Sequence, residues 1–133
     1  MPLLKRFAAV FFLFSLFACA AVHKPQPEFK RVYLVSWYGR QFQGKRTASG
    51  EIFDKFKRTA AHRSLPFGTR LKLTNLENGR STVVTVNDRG PANPDHELDI
   101  SYAAAKDLGI LRQGIGRVTI KYAGDKPPRT LKK

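Results

Sequence analysis

The chain has 133 residues, with 24 Lys and Arg against 10 Asp and Glu, giving a formal charge of +14. That length accommodates one small folded domain, and a single cysteine excludes a disulfide framework. Such a positive field favours polyanionic partners over acid-repelling ones, although charge carried for solubility alone produces the same count.

At the N-terminus, Lys5-Arg6 precede the apolar run Phe7 to Ala18. At about a dozen residues this run is too short to span a bilayer and matches the hydrophobic region of an export signal. Leu16-Phe17-Ala18-Cys19 reads as a bacterial lipobox, so residues 1–18 are expected to be removed and Cys19 to carry lipid. Ordinary cleavage around Ala18 to Ala21 is the alternative. Ala20, where a retention signal would place Asp, points to the outer membrane. Residues 19–30, with Pro25 and Pro27, read as a tether, residues 31–124 as the folded domain, and residues 125–133 as a basic disordered tail.

Losing Lys5 and Arg6 with the leader takes the charge from +14 to +12. Export argues against nucleic acid as the partner, and no stretch interleaves aromatic and basic residues as a nucleic-acid motif would. The remaining polyanions outside the inner membrane are lipopolysaccharide, phospholipid head groups and the peptidoglycan glycan. The glycan exposes a lactyl carboxylate on each muramic acid once the stem peptide is gone.

Within the domain, Arg31 to Trp37 is predicted to be a strand with Val32, Leu34 and Ser36 on one face and Tyr33, Val35 and Trp37 on the other, nearly buried on both. Thr69 to Asn75 and Ser81 to Asn87 are predicted to pair as a hairpin, with Asn78-Gly79 supplying the positive φ angles of a tight turn. Ser101 to Leu108 is the one expected helix, capped by Ser101, favoured by Ala103, Ala104 and Ala105, and ended by Gly109. Gly116 to Tyr122 closes the domain as a further strand. Short strands and one short helix in so small a chain predict a closed barrel, since closure removes exposed edges.

The 10 carboxylates sort by position. Glu28 falls in the tether, Asp125 in the tail, Glu77 in the hairpin turn, Asp107 near the helix end, and Asp95 and Glu97 in a polar loop. Glu51, Asp54, Asp88 and Asp99 remain. Asp88 follows the alternating Val84 and Val86 onto the turn Gly90-Pro91, a rigid strand end that can present an acid to a ligand. Asp99, between Leu98 and Ile100, is either a structural tie or part of a site. Asp54 reads as a surface ion pair, and Glu51, after Ser49-Gly50, as either a loop acid or a neighbour of Asp88. His62 ends the small-residue stretch Thr59-Ala60-Ala61 and is either a rim residue or a site residue. His23, His62 and His96 are too scattered for a metal site. No serine or cysteine nucleophile constellation and no phosphate-cradling loop is apparent, so neither a metal nor a cofactor is expected.

Seven segments occur in the order seen in the rare lipoprotein A family: Ser36-Trp37-Tyr38-Gly39, Thr47-Ala48-Ser49-Gly50-Glu51, Thr59-Ala60-Ala61-His62, Leu65-Pro66-Phe67-Gly68-Thr69, Thr74-Asn75-Leu76-Glu77-Asn78-Gly79-Arg80, Val86-Asn87-Asp88-Arg89-Gly90-Pro91 and Leu98-Asp99-Ile100-Ser101-Tyr102-Ala103-Ala104-Ala105. The chain resembles that family over Val32 to Lys121. The resemblance implies a mainly β fold, a six-stranded double-psi β-barrel with one short helix, shared with expansins. It also implies an endolytic lytic transglycosylase that cuts peptidoglycan strands lacking stem peptides into 1,6-anhydromuramic products. By the same resemblance Asp88 is the acid/base, and Glu51 and His62 shape the site. Tyr38, Arg89 and Asp99 are candidates for substrate contact, and Trp37 offers either a stacking surface or core. The implied partners are glycan strands and, through Cys19, a membrane; no protein partner is implied. Arg89 close to Asp88 would conflict with proton donation, so the basic side chains are expected along the groove and away from the acid. A non-catalytic, expansin-like binding module and a hydrolase pairing Asp88 with Glu51 or Asp99 are the rival readings.

Overall fold

The computed structural model describes residues 31–124; the expected leader, the Cys19 lipidation site, the tether and the basic tail lie outside the described residues. The described residues form six strands: β1 (Tyr33–Trp37), β2 (Thr59–Ala61), β3 (Arg70–Asn75), β4 (Ser81–Asp88), β5 (Leu98–Ile100) and β6 (Ile115–Tyr122). A 3-10 turn (Arg40–Phe42) follows β1, and the helix α1 (Tyr102–Leu108) lies between β5 and β6.

The strands close into a barrel in the order β1-β5-β2-β4-β3-β6. β1 with β5 and β2 with β4 run parallel, and the remaining neighbours run antiparallel. This closed, mixed, six-stranded arrangement with one short helix is the double-psi β-barrel expected from the sequence. Closure pairs every strand on both sides, so no edge is left to template aggregation. Inward residues of all six strands form the core, among them Val35, Ala60, Leu73, Val86, Ile100 and Val118, each fully buried. Ala104, Ala105 and Leu108 on one side of α1 join that core.

A closed barrel has only one interior, and this corrects the expectation of two-sided burial for the first strand. Val35 is buried while Leu34 is 37% and Val32 43% exposed. The hairpin turn also differs from expectation. Gly79 has φ +72°, but among the described residues none other than glycine has positive φ, so Asn78 does not share the left-handed geometry. The loop is closed instead by Asn75 N–H donating to the Arg80 carbonyl (2.8 Å) and Gly79 N–H to the Asn75 carbonyl (2.9 Å).

Asn78 is thereby free to act at a distance. Its side-chain amide donates to the Leu108 carbonyl at 3.0 Å, and that of Asn75 donates to the same oxygen at 2.8 Å. The hairpin thus satisfies an orphan carbonyl at the C-terminus of α1, beside the left-handed cap Gly109. Ser101 caps the other end, its hydroxyl accepting from Ala104 N–H as expected. β2 and β5 were not anticipated as strands; at three residues each they are too short to display an alternation.

Candidate active site

Four residues on adjacent strands form one row on the outer face of the barrel. Ser36 on β1 pairs in register with Asp99 on β5, Asp99 with Ala61 on β2, and Ala61 with Asp88 on β4. Val35, Leu98, Ile100 and Ala60, the in-strand neighbours of Ser36, Asp99 and Ala61, point inward to the core, so those three face outward, and Asp88 joins Ala61 and Asp99 in the wall of one cavity. The β2–β4 register shifts between Ala60 and Ala61, a bulge that brings Asp88 rather than Asn87 opposite Ala61. Asp88 and Asp99 therefore flank the small methyl of Ala61, with Cα atoms about two strand spacings, or ~10 Å, apart.

A cavity of about 220 Å³ lies over this row, walled by Tyr38, Phe42, Ala61, Asp88, Arg89, Gly90, Ala92 and Asp99. Asp88 is held from behind: its Oδ1 accepts from the backbone N–H of Ala48 (3.0 Å) and of Arg89 (2.8 Å). Among the described residues nothing hydrogen-bonds its Oδ2. Asp99 is oriented by the Ser36 hydroxyl, which donates to Oδ1. Gly90 turns the chain over the row at φ +136°, where an added Cβ would come into van der Waals range of Ala61 and of Asp99 Oδ2.

The Tyr38 ring forms one wall, but its hydroxyl is buried and has no hydrogen-bond partner among the described residues, and the same holds for that of Thr59. Burial chiefly keeps the phenol protonated far above its usual range. The Thr59 hydroxyl offsets part of this rise, and the Asp88 and Asp99 carboxylates add to it. Tyr38 thus offers a ligand its ring and not its oxygen.

Arg89 stands in the same cavity wall as Asp88, contrary to the expectation that cations lie away from the acid. The physical reason is that its guanidinium is engaged elsewhere. Nη1 donates to the carbonyls of His62 (3.2 Å) and Leu65 (2.8 Å), and the group sits 3.9 Å over the Phe67 ring. Arg58–Asp107 and His62–Glu97 are ion pairs, whereas Arg89 and Asp88 do not form one.

His62 adjoins the site through its backbone, donating N–H to the Asp88 carbonyl at 3.1 Å. Its ring is turned to other work. Nδ1 accepts from the N–H of Ser64 and of Leu65, both at 3.0 Å, so the proton resides on Nε2 and points to Glu97 Oε1 at 3.1 Å. The imidazole folds the 62–65 loop onto which Arg89 is fastened. Glu97 is thus a partner of the site that loop composition hid.

Glu51 reaches the site indirectly. Its Oε2 accepts from the Asn87 amide at 3.2 Å, and the loop that carries it donates Ala48 N–H to Asp88. Glu51 does not line the cavity. Asp54 turns inward on its own loop, accepting from Phe56 N–H. Ala61, Ser36 and Phe42 were not foreseen as site residues, because only strand register and loop packing bring them there. Among the described residues no group of three or more His, Cys, Asp or Glu is placed to hold a metal ion.

A family model described as lytic transglycolase matches residues 31–120. The chain is 53% identical over 87 residues to the probable endolytic peptidoglycan transglycosylase RlpA of Synechocystis sp., covering 65% of this chain and 27% of that protein. It is 47% identical over 95 residues to the endolytic peptidoglycan transglycosylase RlpA of Vibrio cholerae, covering 71% and 36%. The chain therefore spans well under half the length of these curated relatives. Among solved structures it superposes on a mutant Clavibacter michiganensis expansin in complex with cellohexaose (TM-score 0.56, 20% identity, 74% of this chain and 53% of that one). It also superposes on the Streptomyces papain inhibitor (TM-score 0.56, 23% identity, 69% and 92%). At such identities these two likenesses establish the fold alone.

Proposed function

This chain belongs to the lytic transglycolase family, and on that premise we propose that it cleaves the glycan strands of peptidoglycan internally, leaving 1,6-anhydromuramic ends. One observation carries the reading: Asp88 is clamped through Oδ1 by two backbone amides while Oδ2 is left free beside an open cavity. A carboxyl group so held can deliver a proton along one fixed direction. Protonated Asp88 gives its proton to the glycosidic oxygen, the C1–O bond breaks, and positive charge develops on C1 and the ring oxygen. The C6 hydroxyl of the same sugar then bonds to C1, and its proton returns to the Asp88 carboxylate. Because the nucleophile is tethered, effective molarity takes the place of a second carboxylate that would direct water.

In this scheme Glu51 and His62 are positioning residues. Glu51 steadies β4 through Asn87, and His62 fixes the loop that anchors Arg89. Strands lacking stem peptides are the preferred substrate, because their lactyl groups are free carboxylates that a cationic surface attracts. We place the protein on the periplasmic face of the outer membrane, anchored by lipid at Cys19. Labelled palmitate carried by the native chain and lost in Cys19→Ser tests that anchor.

Asp99 across Ala61 supports a second reading, a hydrolase in which Asp99 directs water toward the sugar. A third reading is glycan binding without cleavage. Incubation with peptide-free glycan and mass spectrometry of the products separates them. Anhydro ends, 18 mass units below the hydrolysed product, are expected of the native chain, reducing ends would mean hydrolysis, and intact strands would mean binding alone. Asp88→Asn is expected to lower turnover by at least about 100-fold while glycan binding persists. Turnover retained in that variant would remove Asp88 from the chemistry.

A further inference from the structure

A second cavity, of about 320 Å³, has Tyr38 as a wall in common with the cavity of Asp88; its other walls are Trp37, Gly39, Lys55, Phe56 and Tyr102. Its size is at the small end of ligand pockets, roughly 300–1,000 Å³, which suits a single sugar ring and not an oligomer. The walls are unusual for exposed surface. Trp37 meets Tyr102 edge-on with ring centroids 5.8 Å apart, and Phe56 meets Tyr102 at 6.4 Å. Phe56 is 66% exposed, the most exposed of the large apolar side chains among the described residues.

Lys55 supplies the charge. Its Nζ lies 4.9 Å over the Phe56 ring and 5.8 Å over that of Tyr102, and no carboxylate among the described residues forms an ion pair with it. No acid is among the cavity's walls. A cation held over aromatic faces without an anionic partner leaves an unmet charge above an apolar platform. Arg89 over Phe67 resembles this arrangement, but Arg89 is already bonded to two carbonyls. The Lys55 group combines a cation without an ion pair among the described residues and a cavity that the cation itself lines.

We infer that the Trp37–Phe56–Tyr102 cavity is a saccharide subsite that selects a ring bearing a carboxylate, with the apolar face of the sugar on the aromatics and its acid on Lys55. Because Tyr38 is a wall of both cavities, a ring held here belongs to the strand whose linkage the acid cleaves. The inference rests on the glycan-cleaving reading for its ligand class, while Lys55, Phe56 and Tyr102 are not among the walls of the acid's cavity. A sugar whose acid is amidated or reduced keeps its stacking face and loses its charge. The subsite thereby distinguishes two strands of identical backbone.

Calorimetric titration of the full chain carrying Asp88→Asn, which holds the strand intact, tests this. The probes are peptide-free glycan oligomers with free lactyl carboxylates, the same oligomers with those groups reduced to alcohols, and neutral N-acetylglucosamine oligomers. Adding Lys55→Met is expected to weaken the acidic oligomer about tenfold, the worth of a charge-assisted contact, and to leave both neutral probes unchanged. Phe56→Ala, a change at an exposed side chain, is expected to weaken all three. Equal affinity of the Lys55→Met chain for the acidic oligomer, an equal loss on every probe, or no binding to any oligomer overturns the subsite. Product analysis of the chain with native Asp88 keeps the two claims apart. Charge discrimination without anhydro ends would leave the subsite standing and refute the transglycosylase, and anhydro ends without charge discrimination would do the reverse.

Discussion

Ala61 stands opposite Asp88 across the β2–β4 ladder, where regular pairing after Ala60 and Val86 would set it opposite Asn87. The shift has a chemical consequence. By strict alternation Asp88 is in phase with Val84 and Val86, whose side chains are fully buried in the barrel. An extra residue on β4 rotates the acid out of that phase and into the outward row with Ala61 and Asp99. The bulge, and not the alternation that precedes it, makes the carboxyl group available to a substrate.

Ala61 owes its role to its size, since it forms the floor between the two carboxylates. Ala61→Leu places a branched side chain where a sugar must lie and is expected to lower turnover by about 100-fold, as misplacement of reacting groups by an ångström does. Circular dichroism checks that the barrel persists. Unaltered turnover in a folded variant would show that the substrate does not enter between Asp88 and Asp99.

Gly90 holds φ +136°, a conformation that side chains rarely adopt, although a Cβ there would meet nothing closer than 3.8 Å. The obstacle is backbone strain and not a clash. Gly90→Ala is expected to cost about 1–3 kcal/mol in urea-induced unfolding. It should also lower activity, because Arg89 N–H, one residue earlier, helps to orient Asp88. A variant as stable as the native chain would contradict the strained geometry.

The Thr74 to Arg80 segment is a structural motif in this fold. Asn75, 2% exposed, and Asn78 share the Leu108 carbonyl. Asn75→Ala is expected to destabilise the domain by about 1–3 kcal/mol, since a buried bond is lost, and Asn78→Ala by roughly 0.5–1.5 kcal/mol. Both variants are expected to retain glycan cleavage at temperatures where they are folded. Loss of cleavage without loss of stability would return the segment to the site.

The acid limb of stability should include Asp107. The hydrogen bond from Arg58 holds its carboxyl below the ordinary 3.8, opposed by partial burial and supported by the Thr82 hydroxyl and by the charges of Arg58 and Arg80. A carboxyl with a lowered folded value stabilises the fold above its unfolded value, and the contribution is lost as pH falls through the folded one. Native chain and Asp107→Asn are therefore expected to differ in melting temperature at neutral pH and to converge in strong acid. Exposure of Arg58 to solvent keeps the difference small. A gap that widened toward acid would reverse the assignment.

Much of this protein was legible in the residues alone. Val84 and Val86 announced β4, Ser101 and Gly109 bracketed α1, and Gly90-Pro91 marked the turn beside Asp88, because alternation, capping and turn chemistry are local properties. Other features depended on closure of the barrel. β2 and β5 exist because neighbouring strands pair with them on both sides, and their three residues carry no periodic signal. The outward turn of Asp88, the Glu97 partner of His62 and the commitment of Arg89 to two carbonyls all arise between residues distant along the chain. Local sequence names the side chains a strand or turn can carry. Which of them meet, and on which side of the wall, is decided by register, a property that exists only once the strands have found one another.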